Sequence, residues 1–471
     1  MNLNKSQAYY FLFFLYIASR ITTSIYYIED IDSLRFALSI SDYNILKLQP
    51  HFPGYPVFCF IAKIIYVFTN NLGITFSIIG GISGYFINYF ILKLCKIELL
   101  SPSGLFCSLI IFFNPLLWIL SNRYMPDLMG LSLMVSIIYY LTIKNSNIKQ
   151  LVIGFVLIGI LAGTRLSYLP VVFIPALLHI IDHKKRVYFI LSFIIGCLLW
   201  LIPLIWISGF NNLYLVAEKQ TVGHFYDYGG TVFTDDNWFD RFENLFRSVW
   251  ADGLGGYWVG RSWLTLILSL PLGYLLYCGY HSIRFYFIND RKWRLIIYSM
   301  IVYLIWILLF QNIIYKSRHI LPILIFLLSF ISLGDKQILY NHFLTRFLMV
   351  IFFVSLISVS SILVIQHKKP AAVSKLKEAI VKDSDLDIIV SIPLINYYLK
   401  THNVDAHYIS IENPDELKYL DNINLSNVLV IGEYPTIFPN NYRINMDTIF
   451  FHNPYVNRMW SSIKTFRLEK K

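Results

Sequence analysis

The sequence predicts a polytopic helical membrane protein that carries a small α/β domain at its C-terminal end. Two observations predict this class. Of the 471 residues, 56% are hydrophobic and only 14% are charged, and apolar stretches of bilayer-crossing length recur along residues 1–366. One helical crossing needs about 20 mostly apolar residues. A soluble globular protein is therefore excluded.

The apolar stretches predict about eleven membrane spans. The first follows a short basic lead without a small-residue cleavage site, so we expect an uncleaved signal anchor. The predicted spans are 8–26, 72–92, 103–121, 127–143, 150–166, 167–182, 187–208, 263–285, 295–312, 317–333 and 343–366.

The stretch 57–68 is too short to be a twelfth span. As a helix it is about 18 Å long, and Lys63 lies in its middle. If it lies in the interface, the basic clusters of the short loops all become cytoplasmic, as the positive-inside rule requires. These clusters are Lys93/Lys96, Lys144/Lys149, Lys184/Lys185/Arg186, Arg291/Lys292/Arg294 and Lys336/Arg346. We therefore expect an interfacial helix at 57–68, a cytoplasmic N-terminus and an extracytoplasmic C-terminus.

This topology places three substantial segments outside the membrane: loops 27–56 and 209–262, and the tail 367–471. In the first loop, Pro50, Pro53 and Pro56 are expected to hold the chain extended. The aromatic and acidic loop 209–262 is assigned to shaping the substrate site.

The tail 367–471 alternates helix-like and strand-like runs, which predicts a small α/β domain after a membrane domain at 1–366. The first helix-like run is "AAVSKLKEAIVK" at 371–382, and the strand-like runs are "LDIIVS" at 386–391, "AHYISI" at 406–411 and "NVLVIGEY" at 427–434. Asn413 followed by Pro414 is typical of a helix start. The single glycine of "VIGEYP" is not a phosphate-binding turn, so a nucleotide site is not expected.

The formal net charge of +11 does not indicate a nucleic-acid partner, because the basic residues are scattered through short loops. The five cysteines lack metal-ligand spacing, so neither a disulfide framework nor structural zinc is expected. The sequence specifies no cofactor and leaves the need for a divalent cation open.

Candidate catalytic and binding residues directly follow the first predicted span. Glu29, Asp30 and Asp32 come first, then "DSLRFA" at 32–37 and "HFPGYP" at 51–56. This order resembles the GT-C superfamily of membrane glycosyltransferases, of the protein O-mannosyltransferase and aminoarabinose-transferase type (family 39). There, an Asp-Glu-x-Arg-Tyr-like stretch precedes a His-Pro-Pro-Gly-Tyr-Pro segment and a juxtamembrane helix. This chain differs at Ser33, where the family has an acidic residue, and at Phe52, where it has a proline.

Further loose matches follow in the family's order and extend the resemblance over about the first 335 residues. They are "NRYMPDLMGLSL" at 122–133, "GTRLSYLP" at 163–170 and "YKSRHILPILI" at 315–325. The resemblance implies a GT-C-like bundle and a sugar donor carried on polyprenyl phosphate. It also implies direct displacement with inversion.

Transfer from such a donor needs a base that takes a proton from the acceptor. Asp32 holds the family position and is the predicted base, with Asp30 as the alternative. Asp127 is interpreted as the cap of its helix behind Pro126.

The donor's phosphate needs cations at the membrane surface. Arg123, Arg165 and Arg318 map to the outer ends of spans, where a guanidinium can bind phosphate through two hydrogen bonds; snorkelling to lipid headgroups is the alternative. His319 beside Arg318, and the proline-flanked His51, are assigned to the same substrate site. For His51, a purely structural turn is the alternative.

We therefore expect a glycosyltransferase of the bacterial cytoplasmic (inner) membrane that moves a sugar to a protein, lipid or glycan acceptor on the outer side. Its partners would be this donor, this acceptor and membrane lipid, with no nucleic acid. The sequence leaves two alternatives open: a transporter or flippase for a lipid-linked glycan, and a polysaccharide polymerase or ligase with a diphosphate-linked donor.

Overall fold

A computed structural model describes residues 4–143, 147–182, 184–235, 237–335, 342–383, 386–412, 427–432 and 442–470. The chain forms two compact units. One comprises Met1–Ile25 and Leu38–Ile365, and the other comprises Tyr26–Ala37 and Gln366–Lys471. The predicted loop 27–56 is thus divided between the two units.

The first unit is helical. The helices up to residue 367, two of which contribute to both units, are α1 (Lys5–Thr22), α2 (Ile31–Ser41), α3 (Pro56–Thr69), α4 (Leu72–Cys95), α5 (Pro102–Phe112), α6 (Pro115–Asn122), α7 (Asp127–Thr142), α8 (Ile148–Arg165), α9 (Leu169–Asp182), α10 (Arg186–Ser208), α11 (Phe210–Val222), α12 (Trp238–Arg247), α13 (Trp263–Asn289), α14 (Arg291–Phe310), α15 (Leu321–Gly334) and α16 (Phe343–His367).

Several of these helices begin where the sequence offers a cap. Asn4 caps α1 in a capping box with Gln7, and Asn147 caps α8 in the same way with Gln150. Helices α3, α5 and α6 each have proline in the first turn, where the missing N–H costs no hydrogen bond.

The predicted membrane class is confirmed, but the count of eleven spans is not. Among the described residues, seven helical segments are long and apolar enough to cross a membrane, or eight if the bent pair α5–α6 is one span. Helix α1 is not among them, and α7 is a shorter apolar helix. Helix α3 is also short, with 14 residues, as expected for the segment at 57–68.

One of the seven segments, Ile148–Asp182, consists of two helices that run in opposite directions. Arg165 at the end of α8 lies beside Asp127 at the start of α7. His179 near the end of α9, in contrast, hydrogen-bonds the carbonyl of Leu141 near the end of α7. Helix α9 therefore returns along α7, as the separate predicted stretches 150–166 and 167–182 require.

Glycine allows α8 and α10 to pack closely. A Cβ at Gly159 would lie 2.6 Å from the backbone nitrogen of Cys197, and one at Gly196 would lie 2.3 Å from the carbonyl oxygen of Val156. Small residues at this contact let the backbones approach, as in other membrane helix pairs. The indole of Trp200 closes the contact by donating a hydrogen bond to the carbonyl of Gly159.

The prediction that the prolines hold the chain before α3 extended is wrong. The amide of Gly54 donates to the carbonyl of His51 at 2.9 Å, which closes a turn. Gly54 has φ +83°, in the left-handed region that glycine adopts without strain. The peptide bonds before Pro50 and Pro53 are cis.

In its described residues from 372 onward, the second unit contains a five-stranded sheet and two helices. Its elements are α17 (Ala372–Val381), β1 (Ile388–Ser391), α18 (Pro393–Thr401), β2 (His407–Ser410), β3 (Val428–Ile431), β4 (Tyr442–Phe451) and β5 (Ser462–Lys470). The strand order is β2-β1-β3-β5-β4. The first three strands are parallel, and β5 and β4 are antiparallel to their neighbours. The sheet core includes Val390, Val430 and Phe466.

This sheet matches the predicted α/β composition of the tail. The runs predicted as strands contain β1, β2 and β3, and α17 lies where the first helix is predicted. Helix α18 and the hairpin of β4 and β5 were not predicted from the sequence. The predicted helix start at Asn413 and Pro414 lies outside the described residues.

Candidate functional site

Two of the predicted phosphate-binding arginines converge on one carboxylate. Nη2 of Arg165 lies 2.8 Å from Oδ1 of Asp127, and Nε of Arg318 lies 3.8 Å from the same oxygen. All three side chains are buried. Two guanidiniums and one carboxylate give this trio one net positive charge, which suits an anionic ligand.

The trio is assembled by the ends of three elements. Asp127 is the first residue of α7, Arg165 is the last of α8, and Arg318 lies in the short 3-10 turn Ser317–Ile320 before α15. Gly130, one turn into α7, lets Arg165 approach, since a Cβ there would lie only 2.5 Å from the Cβ of Arg165.

The structure corrects the interpretation of Asp127 as a helix cap. The cap position of α7 is Pro126, without a side-chain capping hydrogen bond. The Asp127 carboxylate instead pairs with Arg165 from another helix. Sequence reasoning missed this role because Pro-Asp at a helix start is common to both arrangements. The only signal for an ion pair in the sequence was the presence of the arginines Arg165 and Arg318 in the other motifs.

The proline-flanked histidine is connected to this trio through a tyrosine. Nε2 of His51 lies 3.2 Å from the hydroxyl of Tyr55, and Nη1 of Arg165 lies 3.5 Å from the same hydroxyl. The rings of His51 and Tyr55 meet edge to face. The turn at 51–54 thus places His51 beside a residue that contacts the arginine cluster.

The other two predicted binding residues are also buried. His319 follows Arg318, and its carbonyl accepts a hydrogen bond from Tyr303 at 2.9 Å. Nδ1 of His319 makes no hydrogen bond with any part of the chain that the structure describes. Arg123 directly follows α6, four residues before Asp127.

The two candidate bases lie in the second unit and have different surroundings. Asp30 precedes α2, and its Oδ1 accepts a hydrogen bond from the amide of Ser33 at 2.8 Å, as an N-cap does. Its Oδ2 accepts a hydrogen bond from Asn457 at 3.0 Å. Both oxygens of Asp30 therefore have structural partners.

Asp32 lies in the first turn of α2 and is buried, not on a solvated loop. Its Oδ1 lies 3.9 Å from Nη1 of Arg35, one turn along the helix. Carboxylates in this turn are favoured by the helix dipole.

The segment before α2 is held by the rest of the second unit. Oε2 of Glu29 lies 3.0 Å from Nε2 of His367 in a buried pair. The carbonyl of Ile28 accepts hydrogen bonds from the hydroxyls of Tyr398 and Ser374, at 2.6 Å and 2.8 Å. These contacts fix the backbone from which Asp30 and Asp32 project.

The loop 209–262 contains helices α11 and α12 and two π-helical turns, Gly223–Asp227 and Ser248–Gly253. Nε2 of His224 lies 2.8 Å from the carbonyl oxygen of Phe310. Burial lowers the pKa of His224, and the hydrogen bond to Phe310 opposes that shift. Of the adjacent acids Asp235 and Asp236 in this loop, Asp235 is described and Asp236 lies outside the described residues. Among the described residues, no three or more His, Cys, Asp or Glu side chains are grouped to hold a metal ion.

No protein-family model and no curated protein matches the sequence. The fold, in contrast, matches solved structures along the whole chain. ArnT from Cupriavidus metallidurans bound to undecaprenyl phosphate aligns with a TM-score of 0.55 and 9% identity, over 98% of this chain and 97% of that one. The apo state of ArnT from the same organism aligns with a TM-score of 0.54 and 10% identity, over 98% of both chains. The chain therefore has the fold of ArnT, in agreement with the fold expected from the sequence.

Proposed function

We propose that this protein is a glycosyltransferase that moves a sugar from a polyprenyl-phosphate donor to an acceptor on the outer side of the membrane. The observation that carries the proposal is the convergence of Arg165 and Arg318 on Asp127, in a chain with the fold of an enzyme solved with undecaprenyl phosphate. A lipid phosphate and a buried cationic site are complementary in charge.

The arginines bind the phosphate that links the sugar to the lipid. A polyprenyl-phosphate sugar is a phosphodiester with one negative charge, which balances the single positive charge of the trio. As the sugar leaves, the phosphate gains negative charge, and fixed guanidiniums stabilise that charge without reorganising. Asp127 keeps Arg165 in place, and Arg318, His319, Arg123 and His51 complete the site.

Asp32 is the general base. The acceptor hydroxyl or amine attacks the anomeric carbon of the sugar, and the bond from that carbon to the phosphate oxygen breaks. The acceptor's proton goes to the Asp32 carboxylate, and the electron pair of the broken bond leaves with the polyprenyl phosphate. Attack opposite the leaving group inverts the anomeric centre. Asp32 is preferred to Asp30 in this role because it begins "DSLRFA", the stretch that holds the family position.

The reaction takes place at the outer face of a bacterial cytoplasmic membrane. Basic residues of the short loops favour this orientation by the positive-inside rule. The second unit then faces outward. A protein, lipid or glycan hydroxyl or amine suits the chemistry equally.

The test is a donor panel. Purified full-length protein in detergent is incubated with radiolabelled polyprenyl-phosphate sugars, and label is followed from the lipid to the aqueous or acceptor fraction. We expect release from at least one donor by the wild type and little by Asp32→Asn. Movement of intact lipid-linked sugar across liposomes, without cleavage of any donor, would instead establish a flippase.

A further inference from the structure

A charged cavity lies at the opposite end of α7 from Asp127. Its volume is about 340 Å³, and Tyr139 and Ile143, at the end of that helix, contribute to its wall. Helix α7 has 16 residues and is therefore about 24 Å long. The cavity and the arginine cluster thus lie near opposite faces of the membrane-spanning part of the first unit.

The cavity wall is strongly cationic. Four lysines line it, Lys5, Lys93, Lys96 and Lys292, with Glu98 as the one acidic residue. Such a surplus of positive charge at a membrane boundary attracts anions, because the low-dielectric surroundings weaken screening.

Two of the lysines have structural partners. Nζ of Lys292 donates a hydrogen bond to the carbonyl of Leu94 at 2.7 Å, at the end of α4. Nζ of Lys5 lies 3.1 Å from Oε1 of Glu98. The first contact stabilises the end of α4, and the second pairs Glu98, the single carboxylate of the wall, with Lys5.

Lys93 and Lys96 have no carboxylate partner within ion-pair distance in the described part of the chain. Lys93 lies 5.4 Å from the ring centre of Tyr89, and Lys96 is exposed at the end of α4. Their charges are therefore available to a ligand.

The rim of the cavity suits a lipid. Tyr9 lines the cavity on α1, and the next turns of that helix expose Tyr10, Phe11 and Phe14, each by more than 60%. An exposed aromatic face beside a cationic cavity can pack against acyl chains while the cavity holds the headgroup.

We propose that this cavity binds the phosphate of an anionic phospholipid headgroup. The lysine ammonium groups contact the phosphate oxygens, and the acyl chains lie along the exposed face of α1. This site is separate from the arginine cluster and does not depend on the enzymatic proposal. Free inorganic phosphate has the same oxygen chemistry, so the experiment must separate the two sources.

The test compares two double variants of full-length protein. Lys93→Gln with Lys96→Asn removes both available charges, and asparagine tolerates the left-handed backbone of Lys96, whose φ is 54°. Lys184→Gln with Lys185→Gln is the matched control, because it removes two exposed charges between α9 and α10, at the same end of the first unit but outside the cavity.

Delipidated protein is titrated with cardiolipin, with phosphatidylcholine and with inorganic phosphate, and bound lipid is counted by native mass spectrometry. We expect cardiolipin to bind the wild type and the control alike, with phosphatidylcholine much weaker. The cavity variant should lose about tenfold or more in cardiolipin affinity. Displacement of cardiolipin by millimolar inorganic phosphate would assign the anion site to free phosphate. Equal cardiolipin binding by both double variants would overturn the proposal, as would no selectivity over phosphatidylcholine.

Discussion

The side-chain amide of Asn457 donates a hydrogen bond to Oδ2 of Asp30, although the two residues are 427 positions apart in the sequence. The other oxygen of Asp30 caps α2 through the amide of Ser33. Asp30 therefore joins the start of α2 to the C-terminal segment of the second unit, and Asp32 projects from the turn that follows. The position of the proposed base depends on this connection.

Variants of Asp30 should affect stability more than chemistry. Asparagine caps helices about as well as aspartate, but its amide nitrogen cannot accept the hydrogen bond from Asn457, so Asp30→Asn should lose only that bond. Asp30→Ala should lose the cap as well, which is worth about 1 kcal/mol or more. Thermal unfolding in detergent measures the difference. A loss of sugar transfer in Asp30→Asn as large as that in Asp32→Asn would make Asp30 the base.

Asp32→Asn should slow the chemical step by about 100-fold or more, the usual scale for a positioned base. The amide keeps the size of the side chain but cannot take the acceptor's proton. Single-turnover kinetics with bound donor measure the step, and donor affinity should stay near the wild-type value. Wild-type transfer rates in Asp32→Asn would remove Asp32 from the mechanism.

Arg318→Lys should weaken donor binding by about tenfold, because lysine keeps the charge but loses the planar fork that binds two phosphate oxygens. Arg318→Ala should weaken it further. Equilibrium binding of a polyprenyl-phosphate sugar measures both. If neither variant changes the affinity, Arg318 is not a phosphate ligand.

Gly130→Ala should disturb Arg165 without touching any charge. The new methyl group would lie 2.5 Å from the Cβ of Arg165, and such overpacking costs about 1–3 kcal/mol. We expect a lower unfolding temperature and weaker donor binding. Gly273→Ala in α13 is the control, since no atom lies within 4 Å of its Cβ, and it should be neutral or slightly stabilising. Equal behaviour of the two variants would contradict a role for Gly130 in positioning Arg165.

The proposed orientation predicts an active alkaline phosphatase fused after Lys471, because this reporter folds only outside the cytoplasm. A cytoplasm-only reporter at the same place should be inactive. The reverse result would mean that 57–68 crosses the membrane, and it would invert every side assignment downstream.

Local pattern predicts much of this fold. Apolar length alone places helices at all eleven predicted spans, and the hydrophobic runs of the tail coincide with β1, β2 and β3. The hairpin of β4 and β5 was missed because its strands carry many polar and charged residues, such as Arg443 and Lys464, and pair through tertiary contacts.

The candidate site was only partly predictable for a related reason. The arginine motifs point to Arg165 and Arg318, but Arg165 meets Asp127 only because α8 runs antiparallel to α7. The contact of Asp30 with Asn457 depends in the same way on a distant segment of the chain. A short motif gives the residue type, whereas distant segments decide which atoms meet.

Because Tyr26–Ala37 belongs to the same compact unit as Gln366–Lys471, this unit cannot be completed until nearly the whole chain has left the ribosome. At ordinary rates of synthesis that delay is roughly half a minute. During this delay, the segment Tyr26–Ala37 has emerged, but Asn457, Tyr398 and Ser374, which hold it in the folded unit, have not yet been synthesised. The proposed base therefore has no fixed position while the chain is being synthesised. If synthesis stopped before the last strands, the truncated protein would be inactive and sensitive to proteases.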